Sequence, residues 1–365
     1  MTDLRVAAGC AVAACIGAAA FAADRAHSSV IVYGDTDRVQ VISPTVAGSV
    51  DVSQTTIEAV VSMDLISAAS VDLTSAASPK GFEEQRTQAD AGFRQGFGDG
   101  KIFSAGYHLS YEPDFLSHAV RLGAQRDAWD RHFTFGVNYG YSHASIGRTH
   151  DSVFSRERQS HDLDLTVARV LTASSAADFG WGLSVVDGFQ ANAYRFVRLY
   201  AAPTGPHQTA VTEQVPDLRL RQTLSARLRA RLWPSLFGLA EYRFYGDSWG
   251  MLAHTLTLRW AYKLGGASWT LAAEGRGHLQ SAAAFYQARY VTLPLAPDLR
   301  TADKELGPMW TALGGLHLEW SPALPRFQAL RVVVGADLLH LRYLDYAFLA
   351  ARTALILSTG VSWEI

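Results

Sequence analysis

The stretch LRLRQTLSARLRARLW, Leu218–Trp233, sets five arginines among five leucines in sixteen residues. Read with a period of two, one face carries Leu218, Leu220, Leu224, Leu228 and Leu232, and the other Arg219, Arg221, Arg227, Arg229 and Arg231. Read as a helix, Leu220, Leu224, Leu228 and Leu232 form a stripe, but Arg221, Arg227 and Arg231 fall within or beside it. The helix would bury arginines, whereas the strand separates the two chemistries, so the stretch is a β-strand.

The same alternation recurs along the chain. Arg131–Ser145 sets Phe133, Phe135, Val137, Tyr139 and Tyr141 against Thr134, Gly136, Asn138, Gly140 and Ser142. In Met251–Leu264, Leu252, Leu256, Leu258, Trp260 and Tyr262 oppose Thr255, Thr257, Arg259 and Lys263, and in Trp269–Leu279, Trp269, Leu271 and Ala273 oppose Glu274, Arg276 and His278. A soluble β-sandwich also alternates, but its strands run about 5–6 residues. These run longer and are edged with Tyr and Trp. At ~3.3 Å per residue, fifteen residues reach roughly 50 Å, or about 35 Å of height at a 45° tilt, more than the ~25 Å apolar band of an outer-membrane barrel needs. Lipid cannot satisfy an open sheet edge, so such strands must close on themselves.

The segments are Ser28–Gly34, Val39–Val52, Thr56–Ile66, Arg86–Phe97, Lys101–Tyr111, Leu116–Arg126, Arg131–Ser145, Ser160–Leu171, Asp178–Gln190, Leu218–Leu232, Leu236–Gly246, Met251–Leu264, Trp269–Leu279, Met309–Trp320, Leu330–Leu341 and Arg352–Ile365. The expected fold is an all-β, transmembrane, up-and-down antiparallel β-barrel of about sixteen strands, of the outer-membrane type; the short first segment has an extended N-terminal arm as its alternative. With the N-terminus periplasmic, the long connections Ser67–Gln85, Ile146–Gln159, Ala191–Asp217 and Gln280–Pro308 all fall outside. The tight turns Gly98–Gly100, Asp127–Asp130, Trp233–Ser235 and Gly265–Ser268 fall on the other side. That sorting is the usual one for such barrels.

Residues 1–23, MTDLRVAAGCAVAACIGAAAFAA, read as a signal peptide with cleavage after Ala22 or Ala23, leaving 24–365 as a single barrel domain. Val12-Ala13-Ala14-Cys15 resembles a lipoprotein cleavage box, but the Ala-Phe-Ala site fits the end of the run better. Both cysteines, Cys10 and Cys15, lie in that segment, which removes disulfide and thiolate chemistry from the expected mature chain. No later run is long and apolar enough for a helical membrane span. The formal net charge of −2 gives no sign of a polyanion partner such as nucleic acid.

Several segments resemble the bacterial family catalogued as domain of unknown function 3570, a set of predicted outer-membrane barrels. They are VISPTVAGSVDV (41–52), LISAASVDLTSAAS (65–78), RERQSHDLDL (156–165), DGFQANAYRFV (187–197), VPDLRLRQTLSARLR (215–229), EYRFYGDSWG (241–250), FYQARY (285–290) and RTADKELGPMW (300–310). The resemblance implies a Gram-negative source, outer-membrane lipid and the barrel-assembly machinery as partners, and a setting beside an extracytoplasmic redox or lipoprotein partner. It implies no activity. The final strand resembles barrel C-termini that the assembly machinery reads, with Ile365 where Phe is usual.

No haem-attachment, phosphate-loop, nucleophile-elbow or metalloprotease motif is present, so no catalytic, cofactor or metal residue is assigned. His143, His150, Asp151, His161 and Asp164 gather near one loop, but neighbours on a strand alternate between faces and do not converge. The charged inward face is the stronger constellation: Arg219, Arg221, Arg227, Arg229, Arg231, Glu241, Arg243, Arg259, Lys263, Glu274 and Arg276. These line the expected lumen, either as an anion-favouring wall or offset by acids such as Glu58, Asp64, Asp90, Asp162, Asp164 and Asp337. Tyr194, Arg195, Phe196, Arg198, Phe285, Tyr286, Arg289 and Tyr290 make the long external loops folded rather than disordered. The expected function is a porin-like conduit for small polar or ionic solutes. The competing readings are a sheath for a separate redox or lipoprotein partner, an adhesin or structural barrel, and a barrel hydrolase.

Overall fold

The computed structural model describes residues 24–68, 82–265, 268–293, 295–323 and 328–364. The proposed signal peptide and Ile365 lie outside them. The elements are β1 (Arg25–Asp35), β2 (Val39–Val52), β3 (Thr55–Ala68), β4 (Phe82–Gly96), β5 (Lys101–Glu112), β6 (Phe115–Ala128), β7 (Phe133–Ile146), β8 (Arg156–Thr172), β9 (Ser175–Gly188), β10 (Phe196–Leu199), β11 (Thr209–Thr212), β12 (Leu218–Trp233), β13 (Leu236–Asp247), β14 (Leu252–Leu264), β15 (Trp269–Gln280), β16 (Met309–Trp320), β17 (Gln328–Tyr343) and β18 (Ala351–Glu364). Sixteen of them form one closed antiparallel barrel, each strand paired with its neighbours and β1 with β18. β10 and β11 stand apart as a two-stranded hairpin. Among the described residues no helix is long and apolar enough to cross a membrane.

The arginine stretch is β12. Its five leucines lie on the outer surface, each at least 37% exposed, a liability in water and an asset against lipid. Its five arginines face the lumen, where three of them, Arg219, Arg227 and Arg229, meet carboxylates of β13 and β9. The first segment is no arm: β1 pairs with β2 and β18 along its length. β4 begins four residues before the expected Arg86, and β8 four before Ser160, so both strands extend further toward the outer end.

Two local features show the backbone accounting. Pro44 sits mid-strand in β2 and has no N–H; the β2–β3 ladder lapses at Ser43 and Pro44 and resumes in register at Thr45. The Ser43 hydroxyl donates instead to Asp64 at 2.5 Å. In the β4–β5 turn, Gly98, Asp99 and Gly100 all have positive φ, the conformation that glycine takes without a steric penalty.

The two ends differ as expected. Connections 147–155, 189–217, 281–308 and 344–350 emerge at one end, while the other is closed mostly by turns of two to four residues among the described residues. Outward-facing tyrosine–histidine pairs ring the long-loop end: Tyr107–His118, Tyr139–His161 and Tyr242–His254 lie 2.5, 2.8 and 2.7 Å apart at Oη and Nδ1. Tryptophans mark the other end, where Trp269 stacks on Trp320 with centroids 5.9 Å apart. Rings of amphipathic aromatic side chains at two levels suit the two interfaces of a bilayer.

Candidate conduit: the lumen wall and its outer cap

The lumen face of β12–β15 carries the residues the sequence pointed to, and they fall into two groups. Arg219 Nε donates to Asp247 at 2.8 Å, Arg227 Nε to Glu241 at 2.5 Å, and Arg229 Nε to Asp178 at 3.2 Å. Arg219 also lies 3.9 Å over the Trp249 ring. Arg221, Arg231, Arg243, Arg259 and Arg276 form no ion pair among the described residues, nor does Glu274; Lys263 lies 5.5 Å over the Phe237 ring. Nine cations therefore share this wall with three carboxylates, Glu241, Asp247 and Glu274.

The facing wall has the opposite balance. On β2–β5 the lumen face carries Asp51, Glu58, Asp64, Glu84, Asp90 and Glu112 against Arg86 and Arg94. Arg86 donates to Asp64 at 2.8 Å, and His108 lies 2.8 Å from Asp90. In a ring of sixteen strands β3 and β13 are eight apart, hence diametrically opposed. A cavity of about 1010 Å³ spans them, and its charged lining is mixed: Arg25, Glu58, Asp90, Arg94 and Arg121 from β1–β6, and Asp162, Asp164, Arg221 and Arg243 from β8–β13. The lumen side chains stay accessible: Arg121 of β6 keeps 66% of its surface and Arg229 54%.

The loop histidines and acids do not converge. His161 faces outward to Tyr139, Asp164 faces the cavity, and Asp151 pairs with Arg148 at 3.4 Å. One carboxylate trio, Glu84, Glu112 and Asp114, has oxygens within 4.8 Å of one another at the outer end of β4–β5; Arg86 lies 3.9 Å from Glu112 as counter-charge.

Above the lumen, the two longest loops fold into one cap. Its interior holds the largest fully buried side chains among the described residues, Tyr290, Leu199, Val197 and Thr301. Isolated bridges Leu199–Tyr290 and Gln214–Arg300 stitch loop 189–217 to loop 281–308. Tyr290 donates to the Phe285 carbonyl at 2.7 Å and accepts the Thr301 N–H at 2.9 Å; burial pushes its phenol up to about 12. The joint is polar. Thr301 donates to Glu213 at 2.6 Å, the Asn192 N–H donates to Glu213 at 2.7 Å, and Arg195 bridges Glu213, at 3.6 Å, to Asp303. Burial raises the Glu213 carboxyl above the usual range, against the pull of Arg195.

The other loop residues anchor the cap to the rim. Tyr194 bonds Asp114 and Thr149, and burial raises its phenol. Arg198 lies 5.1 Å over Phe348, Phe285 packs edge-on to Trp249, and Tyr286 donates to the Asp345 carbonyl. Arg289 lies 3.9 Å over Tyr200 and donates to the Gly205 carbonyl at 2.8 Å, while Phe196 is exposed. Across the mouth, Glu305 and Asp35 flank Arg352 at 3.6 and 3.5 Å.

Residues 68–324 match the family model described as "Protein of unknown function (DUF3570)". The chain belongs to this family. No curated protein matches it. Among solved structures it is similar to a "Bacterial polysaccharide outer membrane secretin", at 9% identity and TM-score 0.53, covering 93% of this chain and 98% of that one. It is also similar to CdiB from Acinetobacter baumannii, at 9% identity and TM-score 0.51, covering 93% of this chain and 60% of that one. At such identities the likeness is one of fold: a barrel of the outer-membrane type.

Within this DUF3570 barrel, three acids that matter escaped the sequence reading: Asp178, Asp247 and Glu213. Asp178 and Asp247 take up Arg229 and Arg219, but Asp247 reads as a turn residue in YGDSWG, and its pairing needs the β12–β13 register. Glu213 and Asp303 meet across 90 residues of chain with no local motif.

Proposed function

We propose that the protein is an outer-membrane conduit for small polar or ionic solutes, entered from outside beside the folded cap. The observation that carries this reading is the accessibility of inward-facing charges. Arg121 and Arg229 point into the barrel yet stay more than half exposed, which a packed interior of side chains would not allow. The cavity beside Arg121 lies at the upper end of the size range of small-molecule sites. Its lining is small and polar where the strands cross mid-lumen: Ser104, Gly123, Asn138, Gly182 and Thr223. A channel needs binding weak enough to release, and such a wall offers hydrogen bonds without a deep pocket.

The test is conductance of the purified full-length chain in planar bilayers. Stepwise insertion of ion-conducting units is expected. Folded, heat-modifiable protein that inserts into vesicles and conducts nothing would overturn the reading, and would return weight to a sheath or a structural barrel.

A further inference from the structure

The outward face of the barrel carries few charges, and at the short-turn end they are of one sign. Alternation and register place Lys101 of β5, Arg126 of β6 and Arg169 of β8 outward there. Among the described residues no other strand presents an outward cation at that end, and none presents an outward carboxylate. Lys101 and Arg126 stand directly opposite one another across the β5–β6 ladder, which costs stability unless an anion offsets it. All three side chains are exposed and form no ion pair among the described residues. The nearby acids lie elsewhere. Asp127 faces the lumen and accepts from Thr134 at 2.7 Å, while Asp99 stands in the β4–β5 turn and Asp130 beside Arg131 in the β6–β7 turn. Aromatic side chains crowd the same place: Arg169 lies 5.2 Å over the Phe133 ring, and Trp129 packs edge-on to Phe133 and Phe135 at 5.0 and 5.8 Å. From there two apolar grooves run along the outer surface on either side of a ridge made by Leu165 and Val167. One, of about 430 Å³, has Arg126 at its end and passes Phe135 and Val137; the other, of about 450 Å³, passes Phe179, Trp181 and Leu224. Arg169 is the next outward residue of β8 after Val167, so it heads the ridge between the grooves.

We propose that this face binds an anionic diacyl phospholipid of the leaflet at the short-turn end, with its phosphate between Arg126 and Arg169, Lys101 beside it, and one acyl chain in each groove. With short turns toward the periplasm, this is the phospholipid leaflet. The headgroup supplies the negative charge that the opposed Lys101 and Arg126 lack, and the rings of Trp129 and Phe133 sit at the level where aromatic side chains meet headgroups. A phospholipid with a zwitterionic headgroup offers the same chains without the net charge, so the headgroup decides which lipid stays. This site needs the barrel in its membrane but not an open lumen, and it stands whether or not the protein conducts.

The experiment is native mass spectrometry of the full-length chain in detergent with dioleoyl phosphatidylglycerol and dioleoyl phosphatidylethanolamine added in equal amounts. Phosphatidylglycerol should be retained preferentially, by roughly fivefold for each arginine it engages. The double variant Arg126→Gln with Arg169→Gln should bind the two lipids alike. Arg126→Lys with Arg169→Lys keeps the charge and should keep most of the preference, which separates a lipid contact from a role in folding. Arg342→Gln, outward on β17 at the opposite end, should change nothing. Equal retention of both lipids by the unaltered chain overturns the proposal, as does a preference that survives the double glutamine variant in heat-modifiable protein. Dihexanoyl phosphatidylglycerol held as tightly as the dioleoyl lipid overturns the placing of the chains in the grooves. Lipid A held more tightly than phosphatidylglycerol through the same arginines overturns the assignment to the phospholipid leaflet.

Discussion

Glu213 is a carboxylate in an apolar cap, held by the Thr301 hydroxyl, the Asn192 N–H and Arg195. Its folded pKa is raised by burial, so protonation favours the closed joint. The stabilising contribution is full below the ordinary carboxylate range and is lost as pH rises through the folded value. Cap protection, measured by hydrogen exchange of loops 189–217 and 281–308 and corrected for intrinsic rates, should therefore fall as pH rises from about 4.5 upward. In Glu213→Gln that slope should be absent; an unchanged slope would place the titration elsewhere. Gly188 makes a backbone prediction of a different kind. It has φ +106°, and a Cβ there would strike the Glu157 carbonyl and come within 2.9 Å of the Arg158 Cα, backbone that cannot swing aside. Gly188→Ala should lower the yield of heat-modifiable barrel, while alanine at Gly277, where the same atom meets open space, should not.

On a strand, one residue type can serve two purposes, and β12 shows it. Arg219 at the outer end is buried against Asp247, whose carboxylate also accepts from Tyr245 and from two backbone N–H groups of the next turn. Arg229 near the other end meets Asp178 in the open lumen. Arg219→Gln leaves a buried carboxylate without its cation and should cost about 3–5 kcal/mol, whereas Arg229→Gln, screened by lumen water, should cost less than about 1 kcal/mol. Unfolding in urea followed by heat-modifiability orders the two, and equal midpoints would refute the distinction. Nothing in LRLRQTLSARLRARLW separates these arginines, although their common face was legible. A barrel wall has two environments and a strand has a period of two, so facing follows from alternation alone, whereas partners follow from register between strands. The same limit hid β10 and β11. Four residues each, FVRL and TAVT, are too few to show alternation, and their pairing is fixed by the core under Tyr290 rather than by local pattern. β1 was short in the sequence for a related reason: Arg25, His27 and Ser29 give little contrast with Ala26 and Ser28, and closure onto β18 decides its length.

For the molecule as a whole, near-zero net charge conceals two walls of opposite excess, because composition sums over a ring whose sides face one another across the lumen. The cap adds a second asymmetry. It is tied to the 113–114 turn and the 147–155 loop on one side, and to Arg352 and Asp37 near β1 and β18 on the other. The interaction across so wide a space is the kind that mobile ions screen: the Debye length falls from about 10 Å at 0.1 M salt to about 3 Å at 1 M. If the fixed charges of the lumen set an ion preference, the reversal potential of the reconstituted full-length chain at a fixed salt ratio across a planar bilayer should decline toward zero over that range of salt. A reversal potential that holds at 1 M salt would assign the preference to contacts made within the cavity, with Arg221 and Arg243, which line it, the first residues to substitute, since short hydrogen bonds survive screening that a field across the lumen does not.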